Sequence, residues 1–328
     1  MNALRSFEQS VCSGGPTAAN TAPLQQEVGS ESPKARDATP AATSSYGTSN
    51  RPPRGDYSRG GAVQADYTCP QNYAAFTAED HDTYRRLYER QSALLPGLAC
   101  DEFMAALPSL GSSSLIPRFD DINERLVKAT GWRLVAVPGL IPEVPFFTLL
   151  ANRQFPVTDW IRTPEEFDYI VEPDIFHDLF GHVPLLFDPV FADHMQAYGK
   201  GGLKAHALGA CEQLARLYWY TIEFGLIQQK KGNNPGLRAY GAGILSSPGE
   251  LVHALKSPEP QRLVLDLLRC MSTRYNIDTY QQTYFVIDSF QQLFDVTAPD
   301  FTPLYAQLKS LEGLSVDAQR PTDLGIGP

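Results

Sequence analysis

Glu172-Pro-Asp-Ile-Phe-His177-Asp-Leu-Phe-Gly181-His182-Val-Pro-Leu-Leu186 places two of the chain's six histidines in an otherwise apolar run. A buried imidazole is costly unless both ring nitrogens find partners. A metal ion satisfies one nitrogen and leaves the other N–H for a carbonyl or carboxylate. Pro173 can open a short helix here and Gly181 can end it. On a straight α-helix, positions 177 and 182 point about 140° apart. Convergence therefore needs a change of path. The expected device is a left-handed Gly181 that swings His182 round, with Pro184 blocking continuation.

A third ligand must come from elsewhere. The longest helical pattern is expected over residues 203–229, with Cys211, Ala215, Trp219 and Ile222 as its apolar stripe. Glu223 falls on that stripe, four residues after Trp219. A carboxylate there needs a cation or strong donors. An arginine partner would serve, but the two histidines favour ligation. Two His and one Glu leave positions open on non-haem Fe(II). The same donors also hold catalytic zinc, so a His2Glu zinc hydrolase stays open at this point. His194 and His206 read as surface or core residues.

Working outward, the pattern is mainly α with a few short strands (α+β). Thr77-Ala-Glu-Asp80 carries a capping signature, and Tyr84, Leu87, Tyr88, Gln91 and Leu95 continue it at helical spacing. A second helix starts at Asp120 or Asp121 and stops at Gly131. Residues 132–137 read as a strand halted by Pro138-Gly139. Helices are expected over 146–152, 247–256, 261–273 and 290–294, a brief turn over 164–167, and a strand over 283–288.

Residues 1–65 are rich in Ser, Thr, Ala, Gly, Pro and Gln with few large apolar groups, and are expected to be disordered. One catalytic domain is expected over residues 66–300. Residues 301–328 read as a partly disordered tail. The formal net charge of −10 argues against a nucleic-acid partner. No run of about eighteen uncharged apolar residues suggests a membrane span. Residues 1–20 show no signal-peptide core. Five cysteines, an odd number without a CxxC pair, fit a reducing, cytoplasmic setting.

At these residues the chain resembles the tetrahydrobiopterin-dependent aromatic amino-acid hydroxylases. EPDIFHDLFGHVPLL (172–186) and YWYTIEFGL (218–226) are similar to that family's metal-binding signatures. YGAGILSSPGEL (240–251), YFVIDSF (284–290) and VPGLIP (137–142) resemble further family segments, in order. The likeness is greatest to the bacterial branch that acts on phenylalanine. It implies hydroxylation of L-phenylalanine to L-tyrosine with O2 and tetrahydrobiopterin, at Fe(II) held by His177, His182 and Glu223. Tryptophan or tyrosine hydroxylation is the alternative within the family.

The resemblance also implies roles for other residues. Arg162 matches the arginine that binds the substrate carboxylate. Tyr169, Ile170, Trp219, Gly243 and Ser246 match positions beside the substrate, and animal relatives carry Thr in place of Ile170. Phe146 matches the aromatic that stacks on the pterin. Val137, Gly139 and Ile141 match the loop whose backbone meets the pterin edge, and Asp178 and Tyr218 match positions in the same pocket. No heptads follow Pro299, so a monomer is expected.

Overall fold

The computed structural model describes residues 55–57, 61–170, 172–230, 235–311 and 313–327. The expectation of disorder over residues 1–65 falls mostly outside these. Of that segment, Tyr57 donates its hydroxyl to Leu140 O at 2.9 Å.

Helix α1 (Ala78–Leu94) starts in the expected capping box: Thr77 Oγ1 accepts from Asp80 N, and Asp80 Oδ2 accepts from Thr77 N. Its buried face is Thr83, Tyr84, Leu87 and Gln91. Helix α2 (Asp101–Ala106) follows, then α3 (Phe119–Thr130), which buries Phe119, Ile122 and Leu126 and stops at Gly131. Strand β1 (Arg133–Val137), helix α4 (Glu143–Ala151) and strand β2 (Gln154–Thr158) form a β-α-β unit with parallel pairing, Val137 opposite Thr158. This unit carries the loop of residues 138–142 beside the first histidine segment.

The expected helix over 203–229 is corrected. Helix α5 (Pro189–Leu208) is the longest and ends at Gly209, whose φ of 61° is left-handed. Helix α6 (Cys211–Tyr218) starts afresh, runs into a π turn (Trp219–Glu223), and gives way to strand β3 (Leu226–Gln229). The apolar stripe is real across α6 and the π turn. Beyond Gly225, pairing on both sides of β3 overrides helical pattern.

Strand β4 (Gly236–Ala239) pairs antiparallel with β3. Helices α7 (Ala242–Leu245) and α8 (Pro248–Lys256) follow. The expected helix over 261–273 is also corrected. It is strand β5 (Gln261–Val264) and helix α9 (Leu267–Ser272), with Asp266 capping Arg269 N between them. Strand β6 (Thr283–Ile287) lies between β3 and β5, parallel to both, and completes a sheet of order β4-β3-β6-β5. Its five residues are all buried, so β6 is the spine of that sheet. Helix α10 (Phe290–Thr297) packs on α5.

The described residues after 300 include a helix and packing contacts with the rest of the chain. Helix α11 (Thr302–Leu308) buries Tyr305 and Leu308, Arg269 pairs with Asp323, and Ile326 N donates to Arg262 O. These anchors are scattered through the tail and form no period that a sequence reading registers.

One continuous apolar core joins these elements, and Trp132, Trp219, Phe180 and Tyr284 are fully buried in it. Cys69, Cys100, Cys211 and Cys270 are buried and not in disulfides. Among the described residues, no helix is long and apolar enough to cross a membrane.

Candidate metal centre

The two histidines sit on a π turn (His177–His182), and Glu223 ends the second π turn. The expected left-handed Gly181 is not used, since Gly181 is not among the residues with positive φ. A π turn repeats its hydrogen bonds at i→i+5, which brings positions 177 and 182 to one side. In the second turn, Phe224 N donates to Trp219 O at 2.8 Å across that interval. Gly181 serves instead for close approach: a Cβ there would lie 2.9 Å from Ala242 O on α7. Pro184 does not block the path but enters a 3-10 turn (Val183–Phe187).

His177 Nε2 and His182 Nε2 lie 3.2 Å apart. Glu223 Oε1 is 3.1 Å from His182 Nε2, and Oε2 is 3.6 Å from His177 Nε2. Metal bonds of about 2.0–2.2 Å put neighbouring donors roughly 3 Å apart, so one ion fits between these three. All three residues are buried.

The protonation pattern agrees. Ser246 Oγ donates to Ala242 O at 2.7 Å, so toward His177 Nδ1, 2.9 Å away, it accepts. The His177 proton therefore sits on Nδ1, which leaves the Nε2 lone pair for an ion. Burial lowers the His177 pKa to about 3, against the pull of Glu223, and keeps the ring neutral. Burial alone would raise the Glu223 pKa, but the charge and hydrogen bond of His182 outweigh it and hold it at about 2. Two imidazoles and a carboxylate at these distances can hold a divalent cation.

A cleft of about 730 Å³, counting its open mouth, abuts these donors. Val137, Gly139, Ile141, Phe146, Asp178 and Tyr218 all line it, together with His177, His182 and Glu223. The Phe146 ring makes an edge contact with Tyr218. Asp178 Oδ2 accepts from Thr158 N at 2.8 Å, and burial pushes its pKa up to about 6.

The residues matched to a substrate site do not line this cleft, and they divide into two groups. Four are tied to the metal-site residues. Arg162 forms a bidentate pair with fully buried Asp174, at 2.8 and 2.9 Å, and Asp174 Oδ1 also accepts from His177 N at 3.0 Å. Burial raises the Asp174 pKa, but Arg162 outweighs it and keeps the carboxyl ionised. Ser246 holds His177. A Cβ on Gly243 would lie 3.1 Å from Glu223 O, so α7 passes close to the second π turn. Trp219 begins that turn; its ring is wholly buried, stacks on Tyr275 at 4.3 Å, and donates to Gln281 Oε1. The other two are Tyr169 and Ile170, in the segment before the first π turn. Tyr169 is 55% exposed and Ile170 is half-buried.

Asp174 and Glu143 are two buried acids beside the donors and the cleft that sequence reasoning missed. Asp174 stands three residues before His177, a capping interval that was available as a signal. In sequence Glu143 lies before the helix expected over 146–152 and carries no signal of its own. In the fold it lines the cleft and meets His206 at 3.0 Å; these two and Cys211 form the other donor cluster among the described residues. His206, read as a surface or core residue, is half-exposed but has this specific partner.

A family model for biopterin-dependent aromatic amino acid hydroxylases matches residues 58–298. A phenylalanine-4-hydroxylase from Chromobacterium violaceum is 59% identical over 261 residues, covering 79% of this chain and 86% of that protein. One from Ralstonia nicotianae is 60% identical over 253 residues, 77% of this chain and 80% of that protein. The crystal structure of the Chromobacterium violaceum phenylalanine hydroxylase bound to cobalt superposes with a TM-score of 0.78. Its identity is 57%, over 80% of this chain and 94% of that one.

Proposed function

The chain belongs to the biopterin-dependent aromatic amino acid hydroxylases, and from this premise we propose that it is a phenylalanine 4-monooxygenase. It converts L-phenylalanine and O2 to L-tyrosine with a tetrahydropterin as co-substrate. The observation that carries the reading is the approach of His177, His182 and Glu223 to within 3.1–3.6 Å of one another at the wall of one cleft. We assign those three side chains as the holders of Fe(II). When bound, Fe(II) and the reduced pterin supply the open coordination and the electrons that O2 activation needs.

The chain's own residues bind and orient. Ser246 fixes the tautomer and rotation of His177. Phe146 offers a ring face to the pterin, Val137, Gly139 and Ile141 frame its edge, and Asp178 and Tyr218 line the same cleft. On the substrate side, Arg162 has Nε and Nη2 committed to Asp174, which sets the plane of its guanidinium and leaves Nη1 for the amino-acid carboxylate. Gly243 and Trp219 shape the ground beneath, and Tyr169 and Ile170 form the outer side. We also infer a monomer; a stable tetramer in sedimentation would contradict that.

The decisive assay is tyrosine formation from phenylalanine by Fe(II)-loaded protein with a tetrahydropterin in air, with tryptophan and tyrosine as competing substrates. Absence of pterin-dependent tyrosine formation would end the reading. Two variants test its parts. Ser246→Ala is expected to weaken metal binding about 10- to 100-fold, as loss of a partner behind a ligating histidine does. Dialysis of metal-free protein against Co(II) measures this, and unchanged affinity would mean that another group orients His177. Phe146→Ala is expected to raise the pterin KM several-fold more than the phenylalanine KM, about 1 kcal/mol of lost ring contact or more. The reverse split in steady-state kinetics would remove Phe146 from the pterin side.

A further inference from the structure

Gln281 stands two residues before strand β6 and is buried. Each of its polar groups is committed. Its backbone N donates to Glu250 Oε1 on α8 at 3.2 Å, and its carbonyl lies 3.1 Å from His253 Nε2. Its side-chain Nε2 donates to Asn276 O at 2.8 Å and to Thr279 O at 3.3 Å. Carbonyls only accept, so the amide nitrogen faces them and Oε1 is turned the other way. There Oε1 accepts from Trp219 Nε1 at 2.8 Å, across 62 residues of chain. An indole N–H only donates, so both ends of the amide fix the same orientation.

Trp219 opens the π turn that ends at Glu223, and its carbonyl accepts from Phe224 N. Its ring stacks on Tyr275 with centroids 4.3 Å apart and planes 12° apart, and packs on Phe224 at 4.5 Å. A Cβ on Gly243 would lie 2.7 Å from Phe224 Cζ, so the indole, Phe224 and the α7 backbone are in continuous contact. Stacking resists tilting of a ring but is tolerant of sliding and rotation within its plane. A hydrogen bond is directional and removes that remaining freedom. We propose that Gln281 is a positioning residue for the hydroxylation: by fixing the Trp219 indole within its plane, it sets the surface on which the substrate's aromatic ring packs. The proposal rests on the reading above that puts Trp219 on the phenylalanine side. Gln281 acts through Trp219, and Glu250 and the Asn276 and Thr279 carbonyls hold Gln281.

Gln281→Leu keeps much of the bulk and leaves the indole N–H unmet. In Fe(II)-loaded protein it is expected to lower kcat/KM for phenylalanine about 10-fold, the scale of one buried donor left without a partner. Tyrosine formed per pterin oxidised should fall with it, while the pterin KM stays unchanged. Trp219→Phe removes the donor itself. In that background Gln281→Leu should add little, because both variants break one interaction. A readout apart from turnover comes from 19F spectra of protein carrying 5-fluorotryptophan. The Trp219 resonance, identified by its loss in Trp219→Phe, should shift and broaden in Gln281→Leu. Circular dichroism checks folding. Gln281→Asn, whose amide is one methylene too short to reach the indole, carries the test if Gln281→Leu fails to fold. A folded variant with wild-type kcat/KM, wild-type tyrosine yield per pterin and an unmoved Trp219 resonance, altered only in Tm, would make Gln281 a structural tie and overturn this assignment alone. Losses that multiply in the double variant would overturn it too. A wild type that forms no tyrosine overturns the phenylalanine reading and this assignment with it.

Discussion

His177→Ala is expected to lower tyrosine formation by roughly 10³-fold or more and to strip the protein of Fe(II). Loss of a group behind a ligand already costs about 10- to 100-fold in affinity or activity, and loss of the donor itself leaves one imidazole and one carboxylate. The structure sharpens the expectation. His177 Nε2 is within 3.2 Å of His182 Nε2 and 3.6 Å of Glu223, and among the described residues no other histidine joins this cluster. His182→Ala and Glu223→Ala should behave alike. Elemental analysis measures the metal, and a thermal scan gives an independent readout. A ligand present at about 100 times its Kd stabilises the folded state by about 2.7 kcal/mol, so Co(II) should raise the Tm of wild type and not of His177→Ala. Near-normal metal content and rate in the variant would mean that the cluster is only a satisfied polar patch in the core.

Arg162→Ala is expected to act on both stability and substrate. The variant leaves the Asp174 carboxylate buried without its guanidinium, and breaking a buried pair in this way costs about 3–5 kcal/mol. Asp174 would still accept from the backbone N–H of Arg162's position and from His177 N, which places the loss toward the lower end. The phenylalanine KM should rise well beyond the pterin KM. Urea unfolding and steady-state kinetics separate the two effects. An Arg162→Met, Asp174→Leu double variant removes both charges, so it should recover much of the stability while the phenylalanine KM stays high. An Arg162→Ala protein within about 1 kcal/mol of wild type, with an unchanged phenylalanine KM, would take Arg162 out of both roles.

The site residues were legible to the degree that their chemistry contradicts their surroundings. His177, His182 and Glu223 are polar groups in apolar runs, and that conflict marks them without any structure. Phe146, Val137 and Ile141 have no such conflict; they entered only through motif resemblance, and the cleft that unites them is a tertiary product. The device that makes the histidines converge was misread. A left-handed Gly181 and a π turn satisfy the same spacing, and the choice between them depends on how closely α7 passes.

Local pattern determined the capped start of α1, the stop of α3 at Gly131, the strand at β1 and the pair His177 and His182, because each depends on side chains a few residues apart. Only the tertiary structure decided that residues 226–229 and 261–264 are strands, since both pair with the buried β6, which lies further along the chain. It also decided that Asp174 sets the plane of Arg162, that Glu143 and His206 meet across 63 residues, and that the tail after residue 300 folds back. Each of these is a pairing of distant groups, and its free energy appears only once the chain has brought them together.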